Sequence, residues 1–534
     1  MKQFNPNNFF TYAILHIVLF GLNAKAQNTY LDNTFNTSGY SIITNVPDHL
    51  DCQGTDMVLQ ADGKIIVVGG GTRVSQFRGD AIMVRLKTNG TPDSTFGTNG
   101  IVINEIGPLT AGHNCIEIQP DGKLLVSGVN IIDINLYTRQ SYTARYNADG
   151  TFDTSFGVDG IMLFPGGASF TLQSVLQPDG RLLVAGWAHD QTTLADQILI
   201  RYNSDGSLDE SFDGNGYLVT DVNNSFERAN DITLQPDGKI ITGGYHVGAS
   251  YYDFLITRYN SNGSIDSSFG VDGHVIRDLG GSTEICHSVL VQSDGKILAA
   301  GYTEGTTGQD FRFIIMRFNN DGSLDPSFNG SGIVDAGIND HGSVAPYGIA
   351  LRPDGKIVFG GSAELNNSFT KKLTVLQLNP DGSRDAAFGT DGFVQVSISE
   401  FPDEERMMVL DENGKILLCG FTQYAGNSVI AFARILPELI LGTLEFNNSD
   451  EVLIYPNPVQ SSETLSYTLA NDAMICISLF DIQGKHVKEI LENQRLAAGQ
   501  HSTTFSFPTE LTAGVYFIKL ISAKGIISVR VVKS

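Results

Sequence analysis

At 534 residues the chain exceeds one ordinary domain, and 41% hydrophobic residues with a mean hydropathy of −0.02 allow large cores, which excludes global disorder. The balance of 34 Lys and Arg against 58 Asp and Glu leaves a formal charge of −24, which excludes nucleic acid as a partner because phosphate binding needs clustered cations. Such acidity suits solubility, cations or basic partners.

The chain opens with Lys2, an apolar run over 9–22 and the small-residue site Ala24-Lys25-Ala26. This pattern predicts a signal peptide over 1–26 and a mature chain from Gln27. The run is too short to span a bilayer comfortably, and no later stretch reads as transmembrane. Five cysteines (Cys52, Cys115, Cys286, Cys419, Cys476) are too scattered for a disulfide framework. Cys52 and Cys115 lie in adjacent repeats and are the one pair considered, while Cys419 reads as a buried thiol.

From residue 27 to 437 the chain repeats. The stretch Gln235-Pro236-Asp237-Gly238-Lys239 has near copies around Gly63, Gly122, Gly180, Gly295, Gly355 and Gly414, with successive glycines 59, 58, 58, 57, 60 and 59 residues apart. A second signature starts at Asp32, Asp93, Asp153, Asp209, Asp266, Asp325 and Asp385 and ends three residues on at Phe35, Phe96, Phe156, Phe212, Phe269, Phe328 and Phe388. Between them lies a strand ending in Arg85, Arg145, Arg201, Arg258, Arg317 or Arg434, with Gln377 as the exception. A fixed period of this size marks an array whose units bury their cores against each other. Each unit reads as four short strands joined by Gly, Asn and Asp turns, which predicts propeller blades.

The ends predict a closed ring. Residues 30–43 are the tail of a unit without a beginning, and 407–436 the beginning of a unit without a tail. Joined, they complete a seventh blade, so the expected fold is all-β, a seven-bladed β-propeller closed by an N-terminal strand. The two motifs in phase resemble the delta-60 repeat family of bacterial β-propellers over about residues 28–436. That resemblance implies a fold and an exported protein, and it supplies no general catalytic residues. The last repeat departs from it, with Asn413 in place of Asp.

After a linker over 438–452, residues 453–534 read as a small Ig-like β-sandwich. Tyr455-Pro456-Asn457-Pro458, a turn carrying Gly484 and Lys485, and a strand start carrying Gly514 and Tyr516 occur in that order. They are similar to the type A C-terminal sorting domain of the type IX secretion system. The resemblance implies the type IX machinery as partner and a secreted or outer-surface location in a Gram-negative bacterium.

Candidate chemistry is sparse. The pattern Asn203-x-Asp205-Gly206-x-x-Asp209 offers oxygens like part of a calcium loop, but it lacks the closing bidentate Glu. Tight turns explain it better, so no cofactor is assigned and calcium stays as the alternative. No zinc helix, nucleophile elbow or P-loop occurs, and no catalytic residue is assigned. His189, His246, His287 and His341 read as lone histidines in variable segments. The repeated Asp-Gly turns share one face of a propeller, and the irregular loops share the other, where function concentrates. Trp187, Tyr245, Tyr302 and Phe421 stand seven residues after the turn glycine, so with His189 and His246 they are the candidate ligand-binding residues. The favoured reading is an exported, monomeric, non-catalytic propeller that binds a glycan, peptide or surface protein through that face. The alternatives are a secreted polysaccharide-active hydrolase or lyase with its site at the funnel, and an adhesive surface protein without a small ligand.

Overall fold

The computed structural model describes residues 30–437 and 453–533, apart from 77, 108, 134–137, 190–194, 249–250, 282, 306–310, 338–344, 365–369, 456–462, 470–471, 482–485, 509–510 and 523–524. The expected signal peptide, the linker and His341 lie outside the described residues. The chain divides into two compact units, 1–438 and 439–534.

Among the described residues of the first unit, seven four-stranded antiparallel units follow one another. The fourth is representative, with strands Glu227–Leu234, Ile240–Val247, Tyr252–Tyr259 and His274–Arg277. The first strands of successive blades pack side by side, and His49–Leu59 of the first blade packs against Glu404–Leu410 of the seventh, so the ring is closed. Tyr40–Ile43 supplies the fourth strand of the last blade, pairing Tyr40 with Ala433 and Ile43 with Ile430. The expected closure by an N-terminal strand is therefore present. Cores lie between blades: Ile66 and Val68 of the first pack with Leu124, Val126 and Tyr142 of the second.

The two repeated signatures meet in each blade. In the fourth, Asp266 Oδ1 accepts the Ser268 amide at 3.1 Å and its hydroxyl at 2.7 Å, while Oδ2 accepts Arg258 Nε at 2.7 Å and Lys239 Nζ at 2.8 Å. The lysine after the Asp-Gly turn thus reaches the aspartate of the second signature. Arg258 also donates to the Asn320 carbonyl of the next blade and lies 4.6 Å from the Phe269 ring centroid. That ring fills the space over Gly322 of the next blade, where an added Cβ would lie 3.1 Å from it. The glycine's φ of +86° is a second reason for its identity.

Blade six exchanges the parts. Gln377 holds Asp385 at 2.7 Å but cannot reach the next blade, and Arg352, in the place of the usual turn glutamine, donates to Gln377 Oε1 and to the Pro437 carbonyl, each at 3.2 Å. Pro437 stands three residues after Arg434, as Asn320 does after Arg317, so the bridge to the neighbour is kept with donor and spacer swapped.

Among the described residues no cysteine forms a disulfide, and Cys52 and Cys115 do not pair. In the Asn203–Asp209 turn, Asp205 Oδ1 accepts the Ser207 amide at 2.9 Å and Asp209 Oδ2 accepts Arg201 Nε at 2.7 Å.

In the second unit, Leu453–Tyr455, Glu463–Leu469 and Gly499–Phe505 form one sheet. His486–Leu496, Ala473–Phe480, Gly514–Ser522 and Gly525–Lys533 form another. Leu465, Tyr467, Ile477, Leu479, Ile518 and Val531 fill the core they share. Tyr455 ends its strand, and Tyr516 is buried with its hydroxyl on the Thr512 carbonyl at 2.9 Å. Pro456, Asn457, Pro458, Gly484 and Lys485 lie outside the described residues.

Two measurements check this frame. Arg258→Ala leaves a buried carboxylate short of a partner and is expected to cost about 3–5 kcal/mol in urea unfolding. Arg352→Gln alone should destabilise, and adding Gln377→Arg should recover most of the loss; a double variant no better than the single one contradicts the exchange. The second measurement is stability against pH. Burial pushes Asp56 up to about 7, Asp231 to about 6 and Glu117 to about 8. Burial also opposes ionisation of Asp32 and Asp93, yet bonds from Lys415 and Thr34 to the first, and from Thr95 to the second beside Arg85, hold both at about 2. The raised group keeps its protons in the fold while the unfolded chain releases them near pH 4, so the contribution of these three carboxylates falls as pH rises from about 4 to about 8. The lowered group loses its contribution as pH falls from about 4 towards 2. Replacing Asp56, Asp231 and Glu117 by their amides is therefore expected to raise the urea midpoint near pH 8 relative to that near pH 4, compared with the unsubstituted chain.

Candidate functional site

The first strand of each blade faces the central channel at alternate residues until a bulge near its middle, as between Ala229 and Asp231. The residues seven and five before the first residue of the Asp-Gly turn therefore form the mouth on the irregular face; Phe170 and Arg228 occupy the former position, and His287, Tyr347 and Arg406 the latter.

Phe170 is the centre of one cluster. Trp187 stacks on it with centroids 5.5 Å apart and planes 4° from parallel. Arg139 of the second blade lies 5.4 Å from its centroid and Arg228 of the fourth 5.9 Å. Among the described residues neither arginine pairs with a carboxylate. A second cluster spans three blades. Tyr302 stacks on His287 at 5.7 Å, and His287 meets Tyr347 edge-on at 4.9 Å. Arg406 donates to the Tyr347 hydroxyl at 2.7 Å and lies 5.5 Å from the Phe421 centroid. Burial, then the charges of Arg228 and Arg406, pushes His287 down to about 3, so it stays neutral at physiological pH. Burial raises Tyr302 to about 12 and also raises Tyr347. Neither phenol is poised to take up or release a proton near neutrality.

Where blades three, four, five and seven place an aromatic ring, the first blade has Gly70 and the second Val129. The space so freed is a groove of about 370 Å³, lined in part by Gln53, Thr55, Gly112, Asn114, Arg139 and Phe170. An added Cβ at Gly112 would meet nothing within 4 Å, so that edge is open. The volume falls in the range of small-ligand sites.

Comparison with known families agrees with this architecture. Residues 60–96, 119–156, 177–212, 235–269, 292–328 and 352–388 match the β-propeller domain of unknown function DUF5122, and 453–534 match the secretion system C-terminal sorting domain. The chain carries DUF5122 propeller repeats and a type IX sorting domain. It is thereby a secreted or outer-surface protein that engages the type IX machinery. Among solved structures the DUF5122 chain is similar to PorZ, a surface component of the type IX system of Porphyromonas gingivalis, at 11% identity over 92% of this chain and 74% of that one, TM-score 0.29. It is also similar to the polysaccharide lyase Uly1, at 9% identity over 72% of this chain and 90% of that one, TM-score 0.43. A third is the α-L-arabinofuranosidase Arb93A from Fusarium graminearum, at 11% identity over 75% and 99%, TM-score 0.39. No curated protein matches in sequence.

Within the DUF5122 propeller the candidate residues take different places. Trp187 and Tyr302 are half-buried in the two mouth clusters, and Phe421 joins the second through Arg406. Tyr245 is buried, stacked on Phe226 at 5.9 Å with Tyr252 edge-on at 5.1 Å. His189 is exposed at the end of its strand, 5.2 Å from the Trp187 ring. His246 and His287 lie within strands, not in loops, and His246 is buried. Spacing after the turn misses Phe170, Arg139, Arg228, Tyr347 and Arg406; counting back from the turn by seven or five finds four of the five. Phe170→Ala is expected to uncouple Trp187 from both arginines, read as a shift in the emission of this sole tryptophan.

Proposed function

We propose that the protein is a non-catalytic binder of an acidic extracellular glycan at the mouth of its irregular face. The observation that carries this reading is the convergence of Arg139 and Arg228, neither with a carboxylate partner among the described residues, on the Phe170 ring of a chain with net charge −24. Unpaired guanidinium groups suit the carboxylate or sulfate of a sugar, where paired bonds give geometric specificity. Aromatic faces suit the apolar faces of sugar rings, and the groove beside Phe170 has room for a short stretch of chain. Burial shifts both mouth tyrosines away from neutrality, so neither phenol is set to act as a general acid or base.

The test is calorimetric titration of the mature protein with oligomers of a polyuronate, a sulfated glycan and neutral dextran. The expected result is binding of at least one acidic glycan, weakening with added salt, with no cleavage products. Arg139→Gln with Arg228→Gln should lower affinity at least about tenfold, equivalent to about 1.4 kcal/mol. Binding of dextran alone, or unchanged affinity in the double variant, contradicts the proposal.

A further inference from the structure

The three first strands of the fourth blade place three ionisable residues side by side. Glu227 pairs in register with His246, and His246 with Asp253. Glu227 is fully buried; its Oε2 accepts the Val222 amide at 3.2 Å, and its Oε1 has no hydrogen-bond partner. His246 is 7% exposed, and neither ring nitrogen has a hydrogen-bond partner. Its Nε2 points at the same oxygen, 3.8 Å from Glu227 Oε1. Asp196, on the third strand of the preceding blade, and Asp221, just after its fourth, bring carboxylate oxygens within 4.8 Å of that of Glu227.

The arrangement recurs one blade on. Asp253, Asp278 and Glu284 also bring one oxygen each within 4.8 Å of one another. Glu284 accepts the Leu279 amide at 2.8 Å and the Gly281 amide at 2.7 Å. Its register partner Thr303 is buried, with a hydroxyl that has no hydrogen-bond partner. In both trios the middle aspartate, Asp221 or Asp278, is exposed and gives access from solvent.

The first blade shows the same positions neutralised. Asp80 stands five residues before Arg85 as Asp253 does before Arg258, and Glu105 five after Gly100 as Asp278 does after Gly273. There His49, Arg73 and Arg78 pair with Asp80, and both arginines also pair with Glu105. Among the described residues no lysine or arginine pairs with Asp221, Glu227, Asp253, Asp278 or Glu284. Carboxylates held this close repel, and a buried carboxylate oxygen without a partner is costly. Two oxygens bound to one calcium stand at most about 5 Å apart, twice the bond length of 2.3–2.6 Å, which the clusters satisfy without rearrangement.

We propose that Asp196, Asp221 and Glu227, with His246 beside them, bind a divalent cation of the oxygen-preferring class, calcium or manganese, and that Asp253, Asp278 and Glu284 bind a second. The ions join the third blade to the fourth and the fourth to the fifth, where a lone parallel bridge, Tyr252 to Thr283, already links neighbouring sheets. Carboxylate donors suit this class of cation, and the unpartnered imidazole next to Glu227 is a further donor for the ion or for a water bound to it.

The mature full-length protein, stripped with EDTA, is titrated with calcium chloride and separately with manganese chloride, by calorimetry and by thermal unfolding. The expected result is saturable binding of two ions per chain of at least one metal, at submillimolar to millimolar concentrations, with an unfolding temperature that rises and saturates in parallel. Glu227→Gln should abolish one site and Glu284→Gln the other, with unchanged circular dichroism. If either variant fails to fold, the wild-type titration still decides. Absence of saturable binding of both metals, or two ions retained in both folded variants, overturns the proposal.

Discussion

The ring rests on one buried carboxylate per blade. Asp266 holds its own turn through Ser268, its own third strand through Arg258 and its own hairpin through Lys239. Arg258 then carries the contact across to the next blade at Asn320, and Phe269 closes the gap beneath it. An isolated buried charge would be a liability, but here each oxygen accepts two donors, the condition under which a buried ionic network holds a geometry. The turn, the strand and the neighbouring blade therefore share one side chain, and displacing any of them strips the others of a partner.

This network was legible in the sequence because all its members within a blade lie at fixed separations. A contact that needs Asp, then Ser or Thr, then Phe in one tight turn imposes the same spacing in every copy. The blade-six exception was visible as Gln377, but its meaning was not, since Arg352 looked like ordinary variation in a turn. Only the shared carbonyl target, Pro437, shows that the requirement is a guanidinium reaching the neighbour, from whichever strand supplies it.

The mouth was half legible, for a reason that lies in the same geometry. Trp187, Tyr245, Tyr302 and Phe421 follow from counting past the turn; Phe170 is the register partner of Trp187, whereas His287, Tyr347 and Arg406 are the extra residues at the first-strand bulges, which no count past the turn reveals. The fate of each ring then depends on the partner. Tyr245 is covered by Phe226 and Tyr252, whereas Trp187 shares Phe170 with two arginines. A histidine between variable loops reads as a surface residue, and His246 is buried because the blade's second strand extends through it.

The net charge constrains how such a mouth can work. A chain of charge −24 repels an acidic ligand at long range, so steering cannot assist encounter. At physiological salt, screening over about 8 Å confines that repulsion, so contact with Arg139 and Arg228 would decide the affinity of the proposed ligand. The two carboxylate trios lie at the strand ends of the same irregular face, and the fourth blade carries both Arg228 and residues of each trio. Cations bound at the proposed trios would lower the negative field beside the arginines. With both proposed sites filled, ion loading and acidic-ligand binding would be coupled through charge, with the same sign in both directions, as linkage requires.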